Sequence, residues 1–308
     1  MTLRSASIDF QPADSVSYAD VASVREAVEE RLQAHVTTLP GVPDNLQGAI
    51  RHALLGKSKR IRPVLLYLIA DPATRHRDAA LDLGCAVEMV HTASLILDDL
   101  PCMDDAAMRR QRPTTHIAFG QATAILSAIA MLTRAFGIIA ELESVPEKTR
   151  VKLSTLLSDA IGWDGLVAGQ EIDVNGRHQL TSADKIEELN WLKTGVLFVA
   201  AAEMGAVLRG LDEPRVDAVR RFARHFGVAF QTADDLIDRN GSAGEAGKDV
   251  QKDGDKATLV SLFGASQAHL TCQEHLAHAE QALIDSGVNA APIREMMQRL
   301  FATRKAVA

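Results

Sequence analysis

Asp98, Asp99, Asp104 and Asp105 crowd the stretch LDDLPCMDD, and Arg109 and Arg110 follow almost at once. A second acidic set, Asp234, Asp235 and Asp238, closes the run FQTADDLID. Acids at a helix C-terminus face the negative end of its dipole. Two carboxylates about 4 Å apart also repel by roughly 4 kcal/mol at an intermediate dielectric. A hard divalent cation between them removes that cost. Carboxylate oxygens suit Mg²⁺, which keeps positions open for phosphate oxygens, so the expected ligand is a polyphosphate. One Asp-rich turn alone reads as a solvated helix end, because short motifs match by accident. Two such turns, each after an apolar run, argue against that reading. On charge alone, deleting one acid should raise the melting temperature of the metal-free protein.

Cations lie where such a ligand needs them. GKSKRIRP supplies Lys57, Lys59, Arg60 and Arg62, and WLKTG puts Lys193 in an otherwise apolar run, where an unpaired ammonium is costly. The glycine-rich segment after the second acidic set carries Lys248, Lys252 and Lys256 and is suited to closing over a ligand. Singly, each reads as a solvated surface charge. Together they suit more anion than one phosphate, arginine giving forked contacts and lysine point charges.

The elements that must hold these groups read as helices. Val21, Val24, Val28 and Leu32 recur at helical spacing, and RPVLLYLIADPA and AALDLGCAVEMVHTASLILDD read as buried helices, the second ending at Asp98 and Asp99. Pro101 should end that helix and let Asp104 fold back toward Asp98. Residues 147–174 and 186–211 read as two further long helices, 214–239 as another, and 266–286 as an amphipathic one. Asp234 and Asp238, four apart, share a face. No Asn-Gly or Asp-Gly hairpin separates alternating strands. The expectation is an all-α chain of ten or more helices without a linker, one domain over 1–308 with 1–17 as a loose tail.

Composition agrees: 47% of residues are hydrophobic, 24% charged and only 4% aromatic, as in a helix-rich globular protein. The net charge of -7 argues against nucleic acid as a partner. Cys85, Cys102 and Cys272 lie far apart with no CxxC pair, which suits a reducing cytoplasm. Residues 117–140 approach the length of a membrane span but are interrupted by Arg134. A helix apolar on all sides, buried among others, fits them better than a span.

Read in order, GK..R.RP, HTASLILDDLPCMD, RR..PTTH, GQ..D, KTG, FQ..DD..D and GKD...D..K.TLV resemble the motifs of trans-isoprenyl diphosphate synthases. The likeness covers roughly residues 45–265 and is greatest to the bacterial geranylgeranyl diphosphate synthases of carotenoid and related pathways. It implies a single large helical bundle around a central apolar tunnel that holds a growing hydrocarbon chain. It also implies a homodimer and about three Mg²⁺ ions. Carried over residue by residue, it gives metal to Asp98, Asp99, Asp104, Asp234, Asp235 and Asp238. Arg109, Lys193, Lys248 and Lys256 would hold the allylic diphosphate. Lys59, Arg62, His91 and Arg110 would hold isopentenyl diphosphate, and Thr194 and Gln231 would face the developing allylic cation. The family's usual glycine pair, or Pro-Gly, before the lysine is replaced here by GKSKR, which leaves Lys57 as an alternative to Lys59; spacing to Arg62 favours Lys59.

Small residues at Ala93 and Ser94, five and four positions before Asp98, imply a tunnel that accepts a fifteen-carbon chain and extends it to twenty. In the resembling family a bulky aromatic closes the tunnel at this height. A deeper floor is expected from Met131 or Phe136. A terpene cyclase would replace the second DDxxD with a mixed Asn/Asp, Ser/Thr and Glu motif, and a chemically inactive regulatory subunit would lack aspartates that are all present here.

Overall fold

The computed structural model describes residues 20–71, 76–176, 182–240 and 259–305. Among them are thirteen α-helices, and the sole sheet is one two-stranded ribbon, so the all-α expectation holds. Helix α1, Val21–Thr37, buries Val24, Val28, Leu32 and Val36 at spacings of four, which continues the face read from the sequence. Asp20 caps it, its side chain accepting from the Ala22 N–H at 3.3 Å. After α2, Asp44–Leu54, comes α3, Ile61–Ala70, which is buried at every position, Arg62 included. Helix α4, Arg77–Asp98, packs against α3 and ends on the first aspartate, as read.

The turn that follows depends on Pro101. The Asp104 N–H donates to the Asp98 carbonyl at 2.9 Å, and the Asp105 N–H donates to that of Leu100 at 3.0 Å. Asp104 therefore does fold back toward Asp98. The chain then forms a ribbon not read from the sequence, Met108–Arg109 (β1) against Arg112–Pro113 (β2). Its two-residue turn places Arg110 and Gln111 at φ 54° and 63°, a left-handed geometry usually marked by glycine. No glycine occurs there, so the usual hairpin signal is missing.

Helix α5, Thr115–Phe119, leads through Gly120 at φ 86° into α6, Gln121–Ala140. Helix α6 packs along α4 but is not enclosed on all sides. Ile125, Leu126 and Ile129 are 40%, 55% and 50% exposed. The expectation of an all-round buried helix is corrected, because α4, α2 and α7 cover only one side of it. Three described stretches have the length and composition to cross a membrane: Arg77–Asp98, Gln121–Ala140 and Asp184–Arg209.

The helix read over 147–174 is two, α7, Glu147–Ile161, and α8, Leu166–Asn175, parted at Gly162 and Gly165. A side chain at Gly165 would stand 2.4 Å from the Ala160 carbonyl, so only glycine fits that break. The helix read over 186–211 is also interrupted. Helix α9, Ala183–Asn190, runs into a π-helical turn, Trp191–Gly195, and resumes as α10, Val196–Arg209. Helix α11, Glu213–Asn240, packs on α10 and α12, Leu259–Ser286, and α13, Ala290–Lys305, closes the bundle. Phe198, Phe222 and Phe226 are fully buried where α10 meets α11, with the rings of Phe198 and Phe226 edge to face at 5.4 Å.

Candidate active site

Three elements converge on the end of α4. Carboxylate oxygens of Asp98, Asp104 and Asp173 lie within 4.8 Å of one another, the last contributed by α8. Gln170, one turn earlier on α8, donates to Asp98 Oδ1 at 2.6 Å. From the π-helical turn, Lys193 Nζ donates to Asp98 Oδ1 at 3.1 Å and to Asp173. Arg109, on β1, makes a fork to Asp99, its Nε 2.7 and 2.8 Å from the two oxygens and its Nη2 2.6 Å from Oδ1. Oxygen donors at this spacing fit a hard cation such as Mg²⁺.

Electrostatics follow from burial and pairing. Burial opposes ionisation of Asp98, but the Lys193 charge, the Gln170 hydrogen bond and Arg109 outweigh it and hold the carboxyl below its ordinary range. Burial wins at Asp99, with Asp98 adding repulsion, and pushes that carboxyl up despite Arg109. Burial works against the charge on Lys193, yet Asp98 and Asp173 hold its pKa above the ordinary value.

The π-helical turn links the two acidic sets. Lys193 points to the first, and its neighbour Thr194 donates to Gln231 Oε1 at 3.2 Å. Gln231 Nε2 in turn donates to Asp235 Oδ1 at 2.8 Å. A π turn inserts one residue into the helical ladder and is frequent at functional sites. Gly169 on α8 permits the approach: a Cβ there would stand 2.7 Å from the Lys193 backbone nitrogen.

A cavity of about 90 Å³ runs beside these groups. Arg62, His91, Asp98 and Lys193 give it polar walls, and Leu95, Leu166 and Leu197 apolar ones. Arg62 is buried with its guanidinium 4.1 Å over the Phe198 ring, and its Nε has no hydrogen-bond partner. Burial, with Arg110 adding repulsion, brings its pKa down to about 10, so it stays charged at neutral pH. His91 is pushed well below its ordinary value by burial and then by Arg62, Arg110 and Arg109, so it is neutral. Arg110 is likewise lowered by burial, with Arg60 and Arg109 repelling it.

Other residues read from the sequence fall as follows. Lys57 and Lys59 are both exposed on the loop before α3. Arg60 is not an anion-facing cation, which corrects the reading of GKSKRIRP as a run of available charges. Its side chain is buried, paired with Glu29 at 2.8 Å and Glu88 at 2.7 Å, and it donates to the Leu54 and Gly56 carbonyls. Ser94 lines the cavity, whereas Ala93 is fully buried in the core beside it. Met131 is buried and Phe136 half-buried on α6, and neither lines the cavity. Asp234 and Asp235 are half-buried on α11. Asp238 lies on the same helix, its side chain outside the described residues, as are Lys248 and Lys256 altogether. Asp173 and Gln170 received no role from the sequence. Their signal was present in GQ..D, whose spacing puts both on one face of α8.

Comparison with known proteins agrees with this geometry. A family model described as polyprenyl synthetase matches residues 43–286. The chain belongs to the polyprenyl synthetase family. It is a trans-prenyltransferase. A geranylgeranyl diphosphate synthase from Pantoea ananas is 41% identical over 83% of this chain and 84% of its own length. A farnesyl diphosphate synthase from Geobacillus stearothermophilus is 36% identical over 87% of this chain and 92% of its own. Among solved structures, a geranyltransferase from Helicobacter pylori complexed with magnesium and isoprenyl diphosphate superposes with a TM-score of 0.80. It is 27% identical and covers 95% of this chain and all of its own.

Proposed function

We propose that this prenyltransferase condenses isopentenyl diphosphate with an allylic diphosphate of five, ten or fifteen carbons and stops at geranylgeranyl diphosphate. The observation that carries the reading is the meeting of Asp98, Asp104, Asp173 and Lys193, of which Asp98 and Lys193 line a cavity whose other polar wall is Arg62 and His91. These are two charged stations for two diphosphates.

Asp98, Asp99 and Asp104, with Asp173, would hold Mg²⁺ on one side, and Asp234, Asp235 and Asp238 on the other, about three ions in all. When bound, Mg²⁺ supplies positive charge to the departing diphosphate. Lys193 and Arg109, with Lys248 and Lys256, orient the allylic diphosphate and stabilise it as it leaves. Arg62, His91, Arg110 and Lys59 seat isopentenyl diphosphate. Neutral His91 offers a hydrogen bond there without adding charge. Thr194 and Gln231 turn oxygen dipoles toward the allylic carbon as it becomes cationic. The C–O bond to diphosphate breaks and the isopentenyl double bond attacks C1. The released diphosphate takes the proton lost from the product.

Product length rests on Ser94, whose small side chain lines the α4 side of the cavity, with Ala93 buried in the core beside it. The Pantoea ananas relative carries the twenty-carbon name and the Geobacillus stearothermophilus one the fifteen-carbon name, so a product assay decides. Purified protein with Mg²⁺, labelled isopentenyl diphosphate and each allylic starter should yield twenty-carbon chains. A fifteen-carbon end product overturns the length, and no diphosphate release overturns the reaction. We further propose one domain over 1–308 acting in the cytoplasm as a homodimer, without nucleic acid or a membrane span. The exposed apolar side of α6 supports the dimer, and light scattering after size exclusion tests it.

A further inference from the structure

Away from the aspartates, three histidines meet between α11 and α12. His225 Nδ1 lies 2.9 Å from His275 Nδ1, and the His225 ring centroid is 5.1 Å from that of His275 and 5.0 Å from that of His278. His275 and His278 are three apart on α12 and so share a face. His225 precedes Asp235 by ten positions, about 15 Å along α11, which sets the cluster apart from the site already described.

We propose that His225, His275 and His278 form a binding site for a borderline divalent metal of the Zn²⁺, Ni²⁺ and Cu²⁺ class, clamping α11 to α12. Imidazole suits these ions, whereas the carboxylates around Asp98 suit Mg²⁺. Two nitrogens each about 2.0–2.1 Å from one ion lie about 2.9 Å apart at the 90° angle of square-planar Cu²⁺ or Ni²⁺ and about 3.4 Å apart at the tetrahedral angle of Zn²⁺. The His225–His275 pair, at 2.9 Å, has the first separation and needs to open by about half an ångström for the second. The ring nitrogens of the three histidines do not all lie within 4.8 Å of one another, so His278, which is exposed, has to rotate inward to serve as the third donor.

The charged neighbours pull both ways. Arg221 and Arg224 repel positive charge at His225, the first offset by its pairing with Asp217 and by Asp285 at 3.7 Å, the second keeping its charge 4.8 Å over the Trp191 ring. Glu274 adds a compensating negative charge near His275. Burial first, then His275 and His278, brings the His225 pKa down to about 4, and burial and His278 also lower that of His275. Both imidazoles are neutral at pH 7, as a metal ligand must be.

The test uses tag-free, full-length protein in saturating Mg²⁺, titrated with Zn²⁺ by calorimetry and followed by thermal melting. Wild type should bind one more equivalent of Zn²⁺ than His225→Ala and melt higher when it does. His278→Ala, at an exposed position, should fold normally and weaken that binding by roughly tenfold or more, at least the loss typical of a supporting group. Turnover of His278→Ala in Mg²⁺ alone should equal that of wild type. The same stoichiometry in wild type and both variants overturns the site. Full affinity in His278→Ala overturns the three-histidine assignment.

Discussion

Asp98→Ala, studied in chelator, sets attraction against repulsion at the first acidic cluster. Repulsion alone predicts stabilisation: Asp98 has oxygens within 4.8 Å of those of Asp104 and Asp173, and a pair at about 4 Å repels by roughly 4 kcal/mol at intermediate dielectric. The structure puts Lys193 at 3.1 Å and Gln170 at 2.6 Å on the same Asp98 oxygen. The lowered Asp98 pKa shows that attraction outweighs both burial and repulsion. A charge-assisted hydrogen bond contributes about 1.5–3 kcal/mol. Lys193 keeps Asp173 and Arg109 keeps Asp99, so neither cation is stripped bare. The expected loss is therefore about 2–3 kcal/mol, below the 3–5 for an orphaned buried charge. At about 2–4 °C per kcal/mol for domains somewhat smaller than this one, the melting temperature should fall by about 4–12 °C. The sign with pH is fixed: a depressed carboxyl pKa gives stability that is present above the unfolded value, about 3.9, and lost as pH falls through the lower folded value. The difference between variant and wild type should thus stay constant from pH 8 to about 5, read by differential scanning fluorimetry. A rise in melting temperature, or a difference that vanishes within that window, refutes the reasoning. Turnover with Mg²⁺ should drop by orders of magnitude in the same variant.

Arg62→Ala should raise the KM for isopentenyl diphosphate roughly tenfold or more with little change for the allylic partner, while Lys193→Ala acts on the allylic KM and kcat. Equal effects on both substrates would contradict two separate stations. Gly169→Ala forces a Cβ to 2.7 Å from the Lys193 nitrogen, so α8 must shift off the π-helical turn. Diphosphate release should fall even though no charge is touched, and normal turnover would show that the close approach is dispensable. Because burial depresses His91, the unfolded chain takes up its proton first, and stability falls as pH drops below about 6.5. His91→Gln should flatten part of that slope in urea melts between pH 7 and 5, and an unchanged slope rejects it. Ser94→Phe should shift product toward fifteen carbons by filling the cavity, whereas Ala93→Phe must first displace packed core at about 1–3 kcal/mol. Unchanged product length in Ser94→Phe removes Ser94 as a determinant.

The sequence disclosed what is set by local spacing. Helix α1 declared its buried face, α4 its end at Asp98, and Pro101 the fold-back of Asp104, because each depends on neighbours within a few positions. The ribbon at Arg110 and Gln111 stayed hidden, since its left-handed turn is held without glycine or asparagine. The break at Gly165 was passed over because a single glycine in an apolar run does not distinguish a helix interior from a terminus. Arg60 read as an available cation because Glu29 and Glu88, which take its charge, lie 31 and 28 positions away.

The same distinction separates the proposed metal ligands from the groups that control them. Carboxylates that serve one cation have to sit close together, and a helix end supplies that closeness within one motif, so DD and the following Asp104 are legible as a unit. What sets the charge state of Asp98 comes from 72 and 95 positions further along, in Gln170 and Lys193. Their arrival depends on a helix break at Gly162–Gly165, a bare backbone at Gly169 and an extra residue in the turn at Trp191–Gly195. None of these is an ionisable group, so a search for charge passes over them. The π-helical turn carries the most consequence: it sends Lys193 toward Asp98 and Thr194 toward Gln231 from adjacent positions. Straightening that turn would rotate one of the two away from its partner, uncoupling the aspartates of α4 from those of α11 while leaving every acidic residue in place.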